Sequence, residues 1–552
     1  MSLRRIWRMR TTLCALAVLV VAASAAGAQD DPHAACAASM GWLPREVLER
    51  PVRLRQGVGN NHDPVTTHSP EAQALYDQGV NYLHGYVWIE AGRSFHQALR
   101  LDPDLALAWV GLSRVYSGLD EPREAKAALA RARALAAKVS PREQRRIELR
   151  GKQLDAMADL GDGARHAAYK KALDDAIAAD VGDVELWLLR GNGEEPTAAG
   201  RGQRGGVAAS AMYLEALRRS PDNAAAHHYL IHAYETIGQI DDALVHGEAY
   251  ARLAPTIPHA QHMWGHDLRR VGRVDDAIAA FRRTDELERA YYAAEGIDRS
   301  LDWHRVHNLD LLAGAYQHKG QMQLAEATLR EALEQKPVAE YVEYSHRGWP
   351  LFLLSRGRNE EGLAAGRELA GGHWAPGRLM GHVLSGQALL ALARTADART
   401  ELAAARKELE TLPVLLSGLT VLRGALAPYV DMLEGELDLR TGDRAAGRAK
   451  LQGVERALRA VPGPDAWIQA LFRLEYIGRV AREVGDWELA EFTAQQMLEH
   501  DAAYGGSHLA LALVAEHRGD RAAAARGKAE AARLWRDADP GLAELHTVRA
   551  SR

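Results

Sequence analysis

A fixed interval of 34 residues is the feature that most constrains what this chain can fold into. Six positions show it, and each has a counterpart of similar size 34 residues later: Leu75/Trp109, Gly79/Ser113, Tyr82/Tyr116, Ala91/Ala125, Phe95/Leu129 and Ala98/Ala132. The first three carry a large, a small and an aromatic residue, and the last three a small, a large and a small one. Such an interval indicates tandem helix-turn-helix units that bury their apolar faces against one another. A chain of 552 residues, long for one core, is therefore predicted to be an extended array.

The same register returns in later parts of the chain. It is marked by turn glycines, by small contact residues and by prolines after the second helix: Gly238, Ala243, Pro255, Gly272, Ala277, Gly320, Ala325, Pro337, Gly357, Ala398, Gly442, Gly485 and Gly519. This pattern resembles the tetratricopeptide repeat, or TPR. The resemblance implies an all-α fold, a TPR-type α-solenoid with an irregular N-terminal arm. The abundance of alanine, leucine and arginine agrees with a helical chain.

The register divides the chain into six predicted parts. They are a signal peptide (1–28), an N-terminal arm (29–69), TPR units (70–140), a helical segment with a glycine-rich loop interpreted as a flexible linker (141–206), TPR units that carry a histidine cluster (207–340) and degenerate TPR units (341–552). Between Ala277 and Ala325 the interval is 48 rather than 34, so about 14 residues are inserted there.

The N-terminus predicts export to the periplasm or secretion. Four arginines precede a short apolar stretch, and Ala26-Gly27-Ala28 fits a cleavage site after Ala28. A retained anchor is the alternative, although the apolar stretch is short for a membrane span. Cleavage would move the net charge from −5 to −9, which argues against nucleic acid or an anionic membrane as a partner. Cys36 would be the single remaining cysteine, so no intrachain disulfide is expected.

Two pairs of histidines obey the 34-residue interval. His228 and His232 are four residues apart, and so are His262 and His266, which follow them by 34 residues. Residues four apart lie on one face of a helix. In a TPR unit this face resembles the stripe that lines the concave groove, beside the stripe that packs on the partner helix. Paired imidazoles on one helical face are a common way to bind a metal ion.

Nine of the 23 histidines fall within residues 227–307. We predict a metal site made by a subset of them and one carboxylate, namely His228, His232, His262, His266, His307 and Glu235. Glu235 is also the candidate general base, and His259 and Asp310 are peripheral candidates. His227 and His246 fall on packing or outer positions. A histidine is more often a solvated or stacked residue than a ligand, so a purely structural role for these residues stays open. A site for a polar ligand other than a metal is a further alternative.

Three segments carry a second resemblance, to a mostly uncharacterised group of bacterial TPR proteins. The group shares an H-Y-x-I-H-x-x-E segment, an H-x-x-H-M-x-x-H segment and a later H-N-L, and the matching residues here are His228, His232, Glu235, His259, His262, Met263, His266, His307 and Asn308. The arm also resembles that group, which adds His62, Thr67 and Gln78, with His62 as a further candidate metal ligand. Asn61 and Trp264-Gly265 depart from the pattern. The group implies a shared site without a settled reaction.

Three functions remain open from the sequence. The first is an exported TPR protein that holds a transition metal, with zinc, copper, iron and nickel all compatible with imidazole and carboxylate ligands. The second makes that site catalytic, with an open coordination position and Glu235 as base. The third is a metal-free scaffold that binds a protein or peptide partner in its groove, as most TPR arrays do.

Overall fold

The computed structural model describes residues 43–414, 422–460 and 464–549. The predicted signal peptide, its cleavage site and Cys36 lie outside these residues, as do residues 29–42 of the predicted arm. Within the described part the regular structure is helical, without strands. No helix in these ranges is long and apolar enough to span a membrane.

The helices follow one another in antiparallel pairs. The N-terminal half contains α1 Arg45–Leu48, α2 Pro70–His84, α3 Trp88–Leu101, α4 Ala106–Gly118, α5 Pro122–Ala134, α6 Pro141–Met157, α7 Gly163–Ala179, α8 Val184–Asn192, α9 Gly206–Arg219, α10 Ala224–Ile237, α11 Ile240–Leu253, α12 Pro258–Arg270 and α13 Val274–Glu295. The C-terminal half contains α14 Trp303–His318, α15 Met322–Leu333, α16 Glu340–Ser345, α17 Gly348–Ser355, α18 Asn359–Ala370, α19 Ala375–Ala391, α20 Thr395–Thr411, α21 Arg423–Thr441, α22 Arg444–Ala460, α23 Pro464–Glu483, α24 Trp487–His500, α25 Gly505–His517, α26 Arg521–Leu534 and α27 Ala543–Arg549.

The turn glycines of the predicted register all have the left-handed backbone that the turn requires. Their φ angles lie between +70° and +112° at Gly238, Gly272, Gly320, Gly357, Gly442, Gly485 and Gly519. Glycine adopts this conformation without the steric cost that a Cβ atom imposes. The TPR-type α-solenoid predicted from the 34-residue interval is confirmed.

Small residues allow the paired helices to approach closely. A Cβ atom on Gly79 or Gly111 would lie 2.6 or 2.5 Å from the ring of Phe95, which is fully buried. Gly265 and Phe281 repeat this arrangement in a later unit, at 2.7 Å. The large-small pattern of the sequence therefore records direct contacts between the two helices of a unit.

Long-range contacts join parts of the solenoid that are distant in sequence. The Trp535 indole donates a hydrogen bond to the His318 carbonyl at 3.1 Å, and His318 Nε2 lies 3.0 Å from Asp501 Oδ2. At the other end, Arg50 donates to the carbonyl of Gly296 at 3.0 Å. Both ends of the described chain thus pack against the units between α10 and α15.

The two irregular segments near the N-terminus are packed. Gln78 binds the arm on both sides, since its Oε1 accepts from the Arg55 amide at 2.7 Å and its Nε2 donates to the Arg53 carbonyl at 3.1 Å. The loop between α8 and α9 is tied together by buried Glu195, which accepts from the Arg204 amide at 2.7 Å. This loop was expected to be a flexible linker. The structure instead folds it against the protein, because Glu195 needs its backbone donors when it is buried.

Candidate metal centre

Seven histidines from three consecutive first helices converge in the interior. This seven-histidine cluster consists of His228 and His232 on α10, His259, His262 and His266 on α12, and His304 and His307 on α14. All seven are buried. They form three overlapping groups of three, and within each group one ligand nitrogen per residue lies within 4.8 Å of the others.

We name the groups by their position in the cluster. The first triad is His228, His232 and His259, the middle group is His259, His262 and His304, and the second triad is His262, His266 and His307. The structure therefore brings together the five histidines that the sequence predicts as ligands. It adds His259, which was expected only at the periphery, and His304, which was not singled out. These two connect one triad to the other.

The nitrogen spacing of the first triad suits a shared metal ion. His228 Nε2 lies 3.1 Å from His232 Nε2 and 3.0 Å from His259 Nε2. Two nitrogens bound to one zinc ion at about 2.0–2.1 Å would be about 3.3 Å apart in a tetrahedral site. His228 Nε2 thus already lies at about the separation from the other two Nε2 atoms that one ion would impose.

His228 has its proton on the nitrogen that faces away from the triad. Its Nδ1 lies 2.6 Å from the carbonyl oxygen of His84, and a carbonyl can only accept. Nδ1 is therefore the protonated nitrogen, and Nε2 carries a lone pair directed at the other two Nε2 atoms. Metal-binding histidines commonly donate their second ring nitrogen to a carbonyl or carboxylate in this way.

A chain of hydrogen bonds continues from His259 to a buried carboxylate. His259 Nδ1 lies 2.9 Å from His304 Nε2, and His304 Nδ1 lies 2.5 Å from Glu288 Oε1. Burial raises the pKa of Glu288 well above its ordinary value, so the chain has two possible proton orders. When Glu288 is ionised it accepts from His304, which then accepts from His259. That proton order leaves His259 Nε2 with a free lone pair toward the first triad.

The second triad contains an imidazole of fixed tautomer. Asn308 donates its amide to the Phe281 carbonyl at 3.0 Å, so its Oδ1 is the atom that accepts from His262 Nδ1 at 2.9 Å. His262 Nε2 consequently bears a lone pair. This nitrogen is buried and has no hydrogen-bond partner among the described residues.

Glu235 lies between the two triads. Its two carboxylate oxygens are each 3.7 Å from an Nδ1 atom, one of His232 and the other of His266. Glu235 thus borders one histidine of each triad. For His232 it borders the nitrogen that faces away from the first triad, a place from which a carboxylate orients a ligand. Asp267 is also buried, and burial raises the pKa of Asp267 well above its ordinary value.

Burial keeps six of the seven histidines uncharged near neutral pH. Desolvation, followed by the proximity of other histidines, lowers the pKa well below 6.5 for four members, namely His259, His262, His266 and His307. The same causes lower the pKa of His228 strongly and that of His232 to about 3. Neutral imidazole is the form that binds a metal. These six histidines therefore need no deprotonation to act as ligands at pH 7.

Aromatic residues close the groove over the histidines. Tyr86 places its ring 4.6 Å from His228 and 5.2 Å from His259, and Trp303 stacks between Trp88 and His307 at 5.8 Å from each. Tyr86 has a φ of +59° in the turn between α2 and α3, where most later units have glycine. The histidines were expected to line an open groove. They are enclosed because the first unit packs across the helices that carry them.

The remaining predicted residues lie elsewhere. His62 is exposed and bonds Asp77 at 2.7 Å, in none of the three groups, and Thr67 bonds Asp102 at 2.6 Å. Asp310 pairs with Arg347 at 3.3 Å, one turn beyond His307. His227 and His246 contact each other at 2.8 Å outside the cluster, as expected of packing residues.

Sequence reasoning missed three groups that support the site. Tyr86 was detectable as an aromatic residue at the glycine position of a turn. Glu288 lies in the predicted insertion, which extends α13 to 22 residues and brings this carboxylate to His304. His304 lies three residues before His307 on the same helix, a spacing that places both on one face.

Comparison with known proteins supports the repeat assignment. The family model described as tetratricopeptide repeat matches residues 306–338. A search of the curated proteins finds no significant match. Similar solved structures include a human IFIT1 dimer with m7Gppp-AAAA (12% identity, 85% of this chain and 91% of that chain, TM-score 0.34) and yeast Tom70 (13%, 87% and 95%, 0.30).

A third similar structure is the APC/C hetero-tetramer Cut9-Hcn1, at 11% identity over 87% of this chain and 96% of that chain, with a TM-score of 0.31. At these TM-scores the superpositions say nothing about function. The register, the left-handed turn glycines and the family match lead to one conclusion. Residues 306–338 are a tetratricopeptide repeat, and the described chain is an α-solenoid of TPR type.

Proposed function

We propose that this protein is an exported TPR solenoid that binds transition metal ions through the seven-histidine cluster. One observation carries the proposal. His262 Nε2 is a buried lone pair of fixed tautomer without a hydrogen-bond partner among the described residues, and it faces other imidazoles. A buried polar atom left in this state costs about 1–3 kcal/mol, and a cation would offset that cost.

Two ligand sets are available to an ion. The first triad and the second triad each offer three imidazoles, and Glu235 borders one imidazole of each. A bound metal would supply Lewis-acid chemistry or, if redox-active, electron transfer. Imidazole ligands suit zinc, copper, iron and nickel alike. The position of Glu235 behind the His232 ring supports a ligand-orienting role for it over that of general base.

The alternative is a scaffold that binds a protein or peptide, the general role of TPR solenoids. A peptide in the groove would have to reach the face that carries the histidines. His228 and His262 have no exposed surface, and Tyr86 and Trp88 cover that face. The burial favours the metal proposal for these residues and leaves partner binding to other surfaces.

Metal content measured on the mature protein tests the proposal. The full chain, expressed with its own N-terminus in metal-replete medium, should carry at least one transition metal ion per molecule. The variants H232A and H262A should lose metal because each removes a nitrogen from a triad. Intact mass should show that the exported protein begins at Gln29.

His227→Ala is the matched control. His227 is on the same helix as His228, but it contacts His246 outside the cluster, so this variant should retain the full metal content. Protein free of metal after replete expression would overturn the proposal. So would H232A and H262A with unchanged metal content.

A further inference from the structure

A cavity lies next to the second triad. It measures about 170 Å³ and lies between α14, α17, α19 and the C-terminal helices α23 to α25. His307 of the triad and three cavity-lining residues, Asp310, Gly314 and Gln317, follow one another on α14 at intervals of three, four and three. One helical stripe therefore leads from the triad into the cavity.

The cavity is lined by an unusual mixture of groups. One side is apolar, with Met322, Leu351, Phe352, Ile468 and Phe472. The other side carries five arginines against three carboxylates. Enclosed sites with apolar walls and a few convergent polar groups are typical of small-molecule binding.

Arg473 is the most deeply buried of the lining arginines that no carboxylate neutralises among the described residues. It is 4% exposed, and among the described residues no carboxylate or hydrogen-bond acceptor pairs with it. Its Cζ atom lies over the ring of Tyr429, 5.0 Å from the ring centre. The neighbouring Arg347, by contrast, has Asp310 and the Tyr344 carbonyl. A buried guanidinium is costly when its charge is not compensated.

Gln387 is a second polar group directed into the same cavity. Gln387 is fully buried, and neither its Nε2 nor its Oε1 has a hydrogen-bond partner among the described residues. An amide in this state and an unpaired guanidinium in one cavity together indicate a missing polar partner. A carboxylate fits both, since it accepts from Arg and from an amide N–H at the same time.

We propose that this cavity binds a small organic monoanion, a carboxylate on an apolar body, with Arg473 and Gln387 as the groups that hold the carboxylate. Asp310 already pairs with Arg347, and Glu544 with Arg356, so the lone charge of Arg473 calls for one negative charge in return. The hydrophobic wall takes the apolar body. This site does not depend on a bound metal, although it lies next to the second triad.

Calorimetric titration of the full chain with benzoate and with hexanoate tests the proposal. Each titration is done on chelator-treated protein and on metal-loaded protein. Both acids should bind both forms. Benzamide, which has the shape of benzoate without its charge, should bind at least about tenfold more weakly, because it loses the charge-assisted hydrogen bond to Arg473.

Two variants separate a ligand site from a structural role. Arg473→Met should weaken benzoate binding at least about tenfold, and it should raise the melting temperature of the ligand-free protein because an uncompensated buried charge is removed. Gln387→Leu should shift both quantities in the same directions. Arg536→Met, at an exposed arginine paired with Asp537, is the control and should change neither.

The proposal is overturned if neither acid binds the wild-type protein, if benzamide binds as tightly as benzoate, or if phenyl phosphate binds more tightly than benzoate. It is also overturned if Arg473→Met and Gln387→Leu both bind benzoate like the wild type. If chelator-treated protein binds benzoate normally, this site is supported, even if the purified protein contains no metal. The two proposals can therefore fail independently.

Discussion

A histidine can bind a metal ion only through the nitrogen that does not hold its proton. In this protein the groups behind the rings decide which nitrogen that is. The His84 carbonyl fixes the proton of His228, and the Asn308 side chain fixes that of His262. Both partners hold the rings in place and direct Nε2 into the cluster. The site is thus shaped by residues that would never touch an ion.

Glu235 is the residue whose role can be tested most directly. Glu235→Gln removes the negative charge that lies 3.7 Å from Nδ1 of both His232 and His266. We expect metal affinity to fall by about 10- to 100-fold, the usual effect of losing such a partner. Competition with a chromogenic chelator would measure it.

The exposed Glu248 on the next helix provides the control, and Glu248→Gln should bind metal like the wild type. If Glu235→Gln abolishes binding as completely as His232→Ala, then Glu235 is itself a ligand. Unchanged affinity would contradict any role in the site.

Within one unit, the close approach of two helices positions the second triad. Gly265 lies between His262 and His266 in sequence, and it allows α12 to pack on the ring of Phe281 from α13. That ring is 5.6 Å from the imidazole of His262 and 6.0 Å from that of His266. Any change in the helix spacing therefore moves two ligands of one triad together.

Gly265→Ala tests this coupling. The added Cβ atom would lie 2.7 Å from Phe281, so we expect a loss of about 1–3 kcal/mol in the free energy of unfolding. Metal affinity of the second triad should fall more than that of the first. Urea denaturation and metal titration would measure the two effects.

A glycine that has room for a methyl group is the appropriate control. At Gly453, inside α22, the nearest atom to a new Cβ would be 3.9 Å away, at the end of a flexible arginine. Gly453→Ala should raise stability by about 0.5–1 kcal/mol. If both variants lose stability equally, the contact with Phe281 is not the cause.

At the scale of the whole molecule, enclosing so many neutral imidazoles makes the fold sensitive to acid. Burial lowers the pKa of six cluster histidines in the folded chain, to about 3 for His232, whereas an unfolded histidine has a pKa of about 6.5. Between these values the unfolded state binds more protons than the folded state. Stability is therefore full above about pH 6.5 and is lost as the pH falls below it.

Metal-stripped protein should show this in urea denaturation between pH 8 and pH 5. The free energy of unfolding should be nearly constant above about pH 7 and then fall, with about 1.4 kcal/mol per pH unit for each histidine that stays neutral. His262→Gln removes one such group and should give a shallower slope. A free energy of unfolding that does not change between pH 7 and pH 5 would contradict the assignment.

Much of the fold follows from the sequence because a TPR unit is determined locally. Turn glycines such as Gly238 and Gly272, and small residues such as Gly79 opposite Phe95, specify each hairpin through contacts within about 34 residues. The same periodicity places His228, His232, His262 and His266 on corresponding positions of adjacent helices. These features need no knowledge of distant contacts.

The tertiary structure alone decided how the cluster is enclosed and supported. His84 contacts His228 from 144 positions earlier in the chain, and Tyr86 contacts it from the same turn. Arg473 lines a cavity together with residues of α14, a helix that ends at His318. No interval in the sequence predicts these contacts, because they depend on how many successive units pack on one another. Periodicity therefore determined which side chains share a stripe, and the path of the whole solenoid decided what closes over them.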